Sequence, residues 1–217
     1  DLGAESGRVI AGLWDGSKIA LEEVHRFANG PVLFGDSIRW NVMGLWSEIQ
    51  TGLTLAAKKY GDQIVSVGAD TWGVDFVLLN KNEEVLGMPY HYRDARTNQA
   101  MDEVFKIVPK SDIFAETGLQ FMQFNSLFQL WAWKQHSPEI LDAAATFLMM
   151  PDFLHWCLCG SKVVEFTNAT TTQFVNAISR DWCKDLLSKL GIPTHFLPKI
   201  VKPGTALGSL RANLAER

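Results

Sequence analysis

The first eight residues, Asp1-Leu2-Gly3-Ala4-Glu5-Ser6-Gly7-Arg8, combine the residue types that hold a phosphate group. Gly3, Ala4, Ser6 and Gly7 let a backbone come close to an anion, and consecutive N–H groups in such a turn form an anion-binding nest. Asp1 can hold a hydrated Mg2+, and Arg8 can neutralise phosphate charge. The pattern is not a P-loop, because no Gly-Lys-Ser/Thr follows and the next element reads as a strand. The same residues also suit an ordinary turn into a hairpin. Composition leaves both readings open.

A second group lies at Asp70-Thr71-Trp72-Gly73-Val74-Asp75, between two apolar runs. Trp72 offers a flat face, Gly73 allows close backbone approach, and Asp75 can accept hydroxyl bonds. An aromatic wall with a few directed polar groups suits a carbohydrate. The other reading makes Trp72 core and Asp75 a turn residue. Further on, Arg93, Asp94 and Arg96 concentrate charge beside His91 and Tyr92, where an ion-pair network alone would account for them. His91 has no acid or metal partner in the sequence and receives no catalytic role. Phe121-Met122-Gln123-Phe124-Asn125 forms an aromatic patch, and Asn168 to Gln173 is a hydroxyl-rich stretch suited to binding its own backbone.

The elements that must position these groups read as an α/β pattern. Residues 9–14 and 18–27 flank Asp15-Gly16 and predict a hairpin, followed by a loop to Asp36. The clearest helix spans 41–60, with Val42, Trp46, Ile49, Leu53, Ala56 and Tyr60 on one stripe, Asn41 as cap and Gly61 as stop. Strands are expected at 64–69, 76–79 and 84–86, and again at 147–150. Helices are expected from Ser111 or Asp112 to Gly118, from Asn125 or Ser126, at 138–144, from Pro151-Asp152 to Gly160, and at 181–190. Strands alternating with helices argue a sheet covered on both faces, with a helical insert.

Composition narrows the function classes. Twenty Lys and Arg against twenty-four Asp and Glu give a net charge of -4, without the basic footprint of a nucleic-acid surface. No apolar run is long enough to cross a membrane. Cys157, Cys159 and Cys183 are an odd count without metal-ligand spacing, which favours buried thiols and a cytoplasmic setting. Asp1 opens directly on a motif, and residues 210–217 fade into polar chain, so a piece of a larger protein is expected.

The Asp-x-Gly-small-x-Ser-x-Arg turn feeding a hairpin resembles the first phosphate loop of the actin, Hsp70 and sugar-kinase superfamily. Val24-His25-Arg26-Phe27, Asp70 to Phe76, Tyr92-Arg93-Asp94-Ala95-Arg96-Thr97 and Thr167 to Gln173 resemble, in order, the rhamnulokinase branch of the FGGY carbohydrate kinases. The general FGGY signature has a Lys and a Trp where this chain has Gln129 and Ala132.

The resemblance implies a ribonuclease H-like mixed sheet flanked by helices, with residues 1–217 forming the N-terminal sugar-binding domain. It implies ATP and Mg2+, phosphate contacts from Ala4, Glu5, Ser6, Gly7 and Arg8, and a ketose held by Gly73, Trp72, Asp75 and Arg93. Glu5 should then point away from the phosphates or meet Mg2+-bound water, because a carboxylate repels a triphosphate. The implied reaction is phosphorylation of L-rhamnulose at O1, with an aspartate base in a C-terminal nucleotide-binding domain beyond Arg217. The 217 residues alone are therefore expected to be inactive. Another FGGY kinase, acting on xylulose, ribulose, fuculose or glycerol, and a non-catalytic sugar-binding module are the alternatives.

Overall fold

A computed structural model describes residues 1–216. The chain opens on two hairpins, β1 (Ser6–Trp14) with β2 (Ile19–Ala28) and β3 (Pro31–Phe34) with β4 (Ser37–Trp40), and then enters helix α1 (Val42–Tyr60). An extended stretch leads to β5 (Phe76–Leu79), followed by α2 (Ala100–Ile107), α3 (Lys110–Thr117), α4 (Ser126–His136) and α5 (Pro138–Ala143). The chain returns through β6 (Thr146–Met149) and α6 (Met150–Cys159). It finishes with β7 (Val164–Glu165), α7 (Phe166–Ala169), α8 (Lys184–Lys189), β8 (Ile200–Val201) and α9 (Ala212–Ala215). The strands pair two by two, antiparallel except for the parallel β7–β8 pair.

The β5–β6 pair is the centre of the molecule. Phe76 faces Met149 and Leu79 faces Thr146 across it, and every residue of β5 is buried. Side chains alternate across a strand, so one pair of strands feeds two cores. Phe76, Leu78, Phe147 and Met149 pack with α2, α4 and α8. Val77, Leu79 and Leu148 pack on the other face with α1 and α6. The covered sheet and the helical insert expected from the sequence are both present.

Helix α1 follows its sequence signals. Asn41 Oδ1 accepts the Gly44 N–H at 2.9 Å, and Gly61 closes the helix at φ 51°. Its stripe lies on the first hairpin, where Gly52 is pressed against Val9: a Cβ there would sit 2.7 Å from Val9 Cβ.

Three expectations change. The loop to Asp36 is largely the β3–β4 hairpin, whose Gly35 turns at φ 59°. Residues 84–86 contribute an isolated Leu79–Val85 bridge in place of a strand. The buried strand read at 64–69 is neither buried nor assigned as a strand: Ile64 is 45%, Val65 94% and Val67 42% exposed. Its apolar pattern suits a strand, but burial needs a laddered neighbour. Among the described residues, the Ile64 N–H bonds the Gly61 carbonyl and the Ala69 N–H bonds the His155 ring instead.

Burial also explains the ionisable groups of the core. Cys157 and Cys183 are free thiols pushed up to about 12 by burial, which suits inert packing. Asp152 on α6 is 2% exposed, and burial raises its pKa to about 7, opposed by the Glu165 N–H. Among the described residues no helix is long and apolar enough to cross a membrane.

Two outcomes follow from this packing. Gly52→Ala should lower stability by about 1–3 kcal/mol in urea melts, because the methyl group overfills the α1–hairpin contact. For Asp152, the folded pKa lies above the unfolded one, so its contribution is complete below about pH 4 and lost as pH rises to about 7. Asp152→Asn should therefore flatten the fall in stability across that window in melts run from pH 4 to pH 8.

Candidate functional site

The phosphate-type turn and the break before β5 are neighbours. The Leu2 N–H donates to the Asp70 carbonyl at 3.0 Å, and Leu2, Ala4, Ala69 and Trp72 share one apolar cluster. Within the turn, Gly3 N–H donates to the Ser6 carbonyl at 2.8 Å and Arg8 N–H to the Asp1 carbonyl at 2.8 Å. The N–H groups of Ala4 and Glu5 have no partner among the described residues, as an anion nest requires. Gly7 is fixed by packing, since a Cβ would lie 2.3 Å from the Phe27 ring. The Asp1 carboxylate and Arg8 guanidinium form an ion pair, while Glu5 is exposed.

The segment entering β5 is held under strain. Val74 has φ 67°, a conformation that a β-branched residue adopts only when its surroundings impose it. Thr171 Oγ1 accepts the Val74 N–H at 3.0 Å, and Ser126 Oγ donates to the Val74 carbonyl at 2.5 Å. A Cβ on Gly73 would approach Thr171 Cγ2 to 3.0 Å. The hydroxyl-rich stretch is thus a buttress behind the break. The Gly73 carbonyl accepts from Asp75 N–H at 2.9 Å, whereas the Gly73 N–H has no partner among the described residues. Trp72 and Gly73 are both partly exposed.

Asp75 lies behind this surface, at 0% exposure. Its Oδ2 accepts from Trp40 Nε1 at 2.6 Å, Trp72 Nε1 at 2.9 Å and Tyr92 N–H at 3.2 Å, and its Oδ1 accepts from Gln129 Nε2 at 2.8 Å. Burial raises its pKa to about 6, against the pull of Gln129, Trp40, Trp72 and then Arg96. The rings form a continuous wall: Trp40 and Trp72 are 4.0 Å apart, Trp40 and His91 4.2 Å, and His91 and Tyr92 4.4 Å. Phe124 meets Tyr92 edge-on at 5.7 Å, but Phe121 packs on Phe105, away from the wall. His91 is buried, and its pKa falls to about 4, first through burial and then through Arg93.

The charged loop divides by role. Asp94 accepts from Ile38 N–H at 2.7 Å and Arg96 N–H at 3.0 Å, and Arg96 donates to Gln129 Oε1 at 2.7 Å. The Arg96 and Arg39 guanidinium groups lie 3.7 and 3.3 Å from the Tyr90 ring centroid. These groups brace the wall. Arg93 is exposed, 5.4 Å from the Tyr92 ring. Trp40, Gln129, Ser126 and Thr171 were not singled out as site residues from the sequence. Trp40 and Ser126 carry no pattern beyond ordinary packing and capping, while Gln129 stands out only as a departure from the FGGY signature and Thr171 only within the hydroxyl-rich stretch.

The family model for the FGGY family of carbohydrate kinases, N-terminal domain, matches residues 1–217. The chain belongs to the FGGY family of carbohydrate kinases. It is 44% identical over 216 residues to a rhamnulokinase of Oceanobacillus iheyensis, covering 100% of this chain and 46% of that protein. It is 41% identical over 210 residues to a rhamnulokinase of Bacteroides thetaiotaomicron, covering 97% of this chain and 43% of that one. This FGGY chain therefore spans somewhat under half the length of these curated relatives. Its fold matches a ligand-bound xylulose kinase from Lactobacillus acidophilus, with TM-score 0.87, 16% identity, and 99% and 44% of the two chains covered. It also matches a gluconate kinase from Lactobacillus acidophilus, with TM-score 0.86, 16% identity, and 99% and 43% covered. These likenesses establish the α/β sugar-kinase fold.

Thr171→Val keeps the shape of the buttress and removes the acceptor for the buried Val74 N–H. Stability should fall by about 1–3 kcal/mol in denaturant melts, the cost of an unsatisfied buried donor.

Proposed function

We propose that this chain is the sugar-binding N-terminal half of an ATP-dependent ketose kinase of the rhamnulokinase type. The carrying observation is the Leu2–Asp70 hydrogen bond, which sets a phosphate-type turn beside an aromatic, glycine-containing strand break. The identity of about 40–44% with rhamnulokinases along the chain favours L-rhamnulose over other ketoses.

In this reading the ketose lies against Trp72, with its hydroxyls reaching the Gly73 N–H. Ala4 and Glu5 N–H groups bind ATP phosphate oxygens with Ser6 and Gly7, and Arg8 turns from Asp1 to the same phosphates. Asp1, released from Arg8, is the residue that would hold Mg2+. The metal supplies charge neutralisation at the transferred phosphoryl group. O1 of the ketose forms the new bond to the γ-phosphorus as the bond to the β-phosphate oxygen breaks. The O1 proton passes to an aspartate of the C-terminal domain. Closure of the two domains excludes water, so one domain alone supplies a surface without turnover.

The test is a coupled ADP-release assay of this chain joined to its C-terminal half, with L-rhamnulose, xylulose, ribulose, fuculose and glycerol. The expected kcat/KM for L-rhamnulose exceeds the others at least tenfold, and the 217-residue chain alone gives none above blank. A higher value for another sugar, or turnover by the lone chain, contradicts the reading. Arg8→Ala should raise KM for ATP about tenfold, the weight of one charge-assisted phosphate contact, with KM for the ketose unchanged.

A further inference from the structure

The carboxylate of Asp75 is out of reach of any ligand that touches the wall. It is 0% exposed, and donors from four segments occupy it: Trp40 at the end of β4, Trp72 in the strand break, Tyr92 in the charged loop and Gln129 on α4. Three donors crowd Oδ2 and one holds Oδ1, and at 0% exposure the lone pair left on Oδ1 faces no surface that a sugar hydroxyl could reach.

Two of the donors belong to the exposed side of the wall. Trp72 is partly exposed and its indole is tied through Nε1 to Asp75, and the N–H of the partly exposed Tyr92 is tied to the same oxygen. We propose that Asp75 is a positioning residue: it sets ketose affinity by fixing the Trp72 face and the Tyr92 loop, without contacting the ketose. This rests on the sugar-kinase reading above.

The charge arrangement supports it. The cation acting on Asp75 is Arg96, and it reaches the carboxylate through an amide: Arg96 donates to Gln129 Oε1, and Gln129 Nε2 donates to Asp75. Gln129 with Arg96 keeps one charge in the network and separates it from Asp75 by the length of an amide.

The other titratable groups on the elements around Asp75 are Arg39 on β4, Asp70 in the break, Tyr90 to Asp94 in the loop, Lys134 and His136 on α4, and Asp152 and His155 on α6. Asp94 pairs with Arg96, and His91 stays neutral above about pH 4. Asp75 is therefore held as a carboxylate by neutral donors, and protonation near pH 6 turns one of its acceptors into a donor. The cage then loses a bond, and the wall loosens.

The experiment uses the complete kinase, with Asp75→Asn and Trp72→Phe, and two readouts. In Asp75→Asn, KM for the ketose should rise about tenfold, the weight of one hydrogen bond to a charged group, while kcat and KM for ATP stay within about threefold. Trp72→Phe keeps a flat ring but lacks the indole N–H, and should raise KM for the ketose in the same direction. Wild-type KM for the ketose should climb as pH falls through about 6, and the Asn variant should lose that dependence.

The second readout is the circular-dichroism couplet of the Trp40–Trp72 ring pair, which Asp75→Asn should weaken whether or not any sugar is turned over. Both variants with wild-type ketose KM, or a loss confined to kcat, overturn the positioning role. An unchanged couplet in Asp75→Asn overturns it as well. Absence of turnover in the wild type with every sugar sinks the kinase reading instead, and the couplet still decides what Asp75 holds.

Discussion

One buried carboxylate organises this domain. A carboxylate in a protein interior is tolerated only when donors replace the water it has lost. Asp75 meets that demand from Trp40, Trp72, Tyr92 and Gln129, so the end of β4, the strand break, the charged loop and α4 must converge on one point. Removing Gln129 leaves the buried Oδ1 without a donor, and removing any of the other three thins the shell around Oδ2, which makes the convergence specific as well as stable. The strained Val74 immediately before it is affordable because Thr171 and Ser126 pin both of its peptide groups.

The consequence for function is rigidity at the place where a sugar would rest. Trp72 packs against Trp40 at a tilt and is tied to Asp75, and the following loop is pinned by Asp94 and Arg96. The turn at residues 3–8 is then joined to this rigid surface by the Leu2–Asp70 bond. A phosphate-type turn beside a fixed aromatic wall is a geometry suited to group transfer between two bound substrates.

Much of this was readable from residue order. Asn41, Gly61, Gly118 and Gly160 punctuate helices as their capping chemistry dictates, and the unbroken apolar runs at 76–79 and 147–150 lead to a strand pair buried on both faces. Local signals failed where the deciding partner is distant. Residues 64–69 have strand composition, but nothing local shows whether a ladder partner lies alongside. The β3–β4 hairpin was hidden because Gly35-Asp36 is a weak turn signal between short arms. At the candidate site, type and spacing pointed to Gly73 and Trp72, and the structure leaves both partly exposed beside the turn at residues 3–8. The burial of Asp75 was not legible, because its donors lie 35 residues upstream at Trp40 and 54 downstream at Gln129. A polar residue beside a tryptophan and a glycine reads as a ligand contact until the structure shows both of its oxygens occupied.

The central claim is that the turn and the wall serve one crevice. Amide NMR of the 15N-labelled chain, with Mn2+·ATP added in the presence of L-rhamnulose, tests it directly, because paramagnetic broadening falls steeply with distance. The amides of residues 4–8 and the Trp72 indole N–H should broaden together. Broadening of residues 4–8 with sharp signals from residues 72–75, or broadening elsewhere alone, would contradict the account.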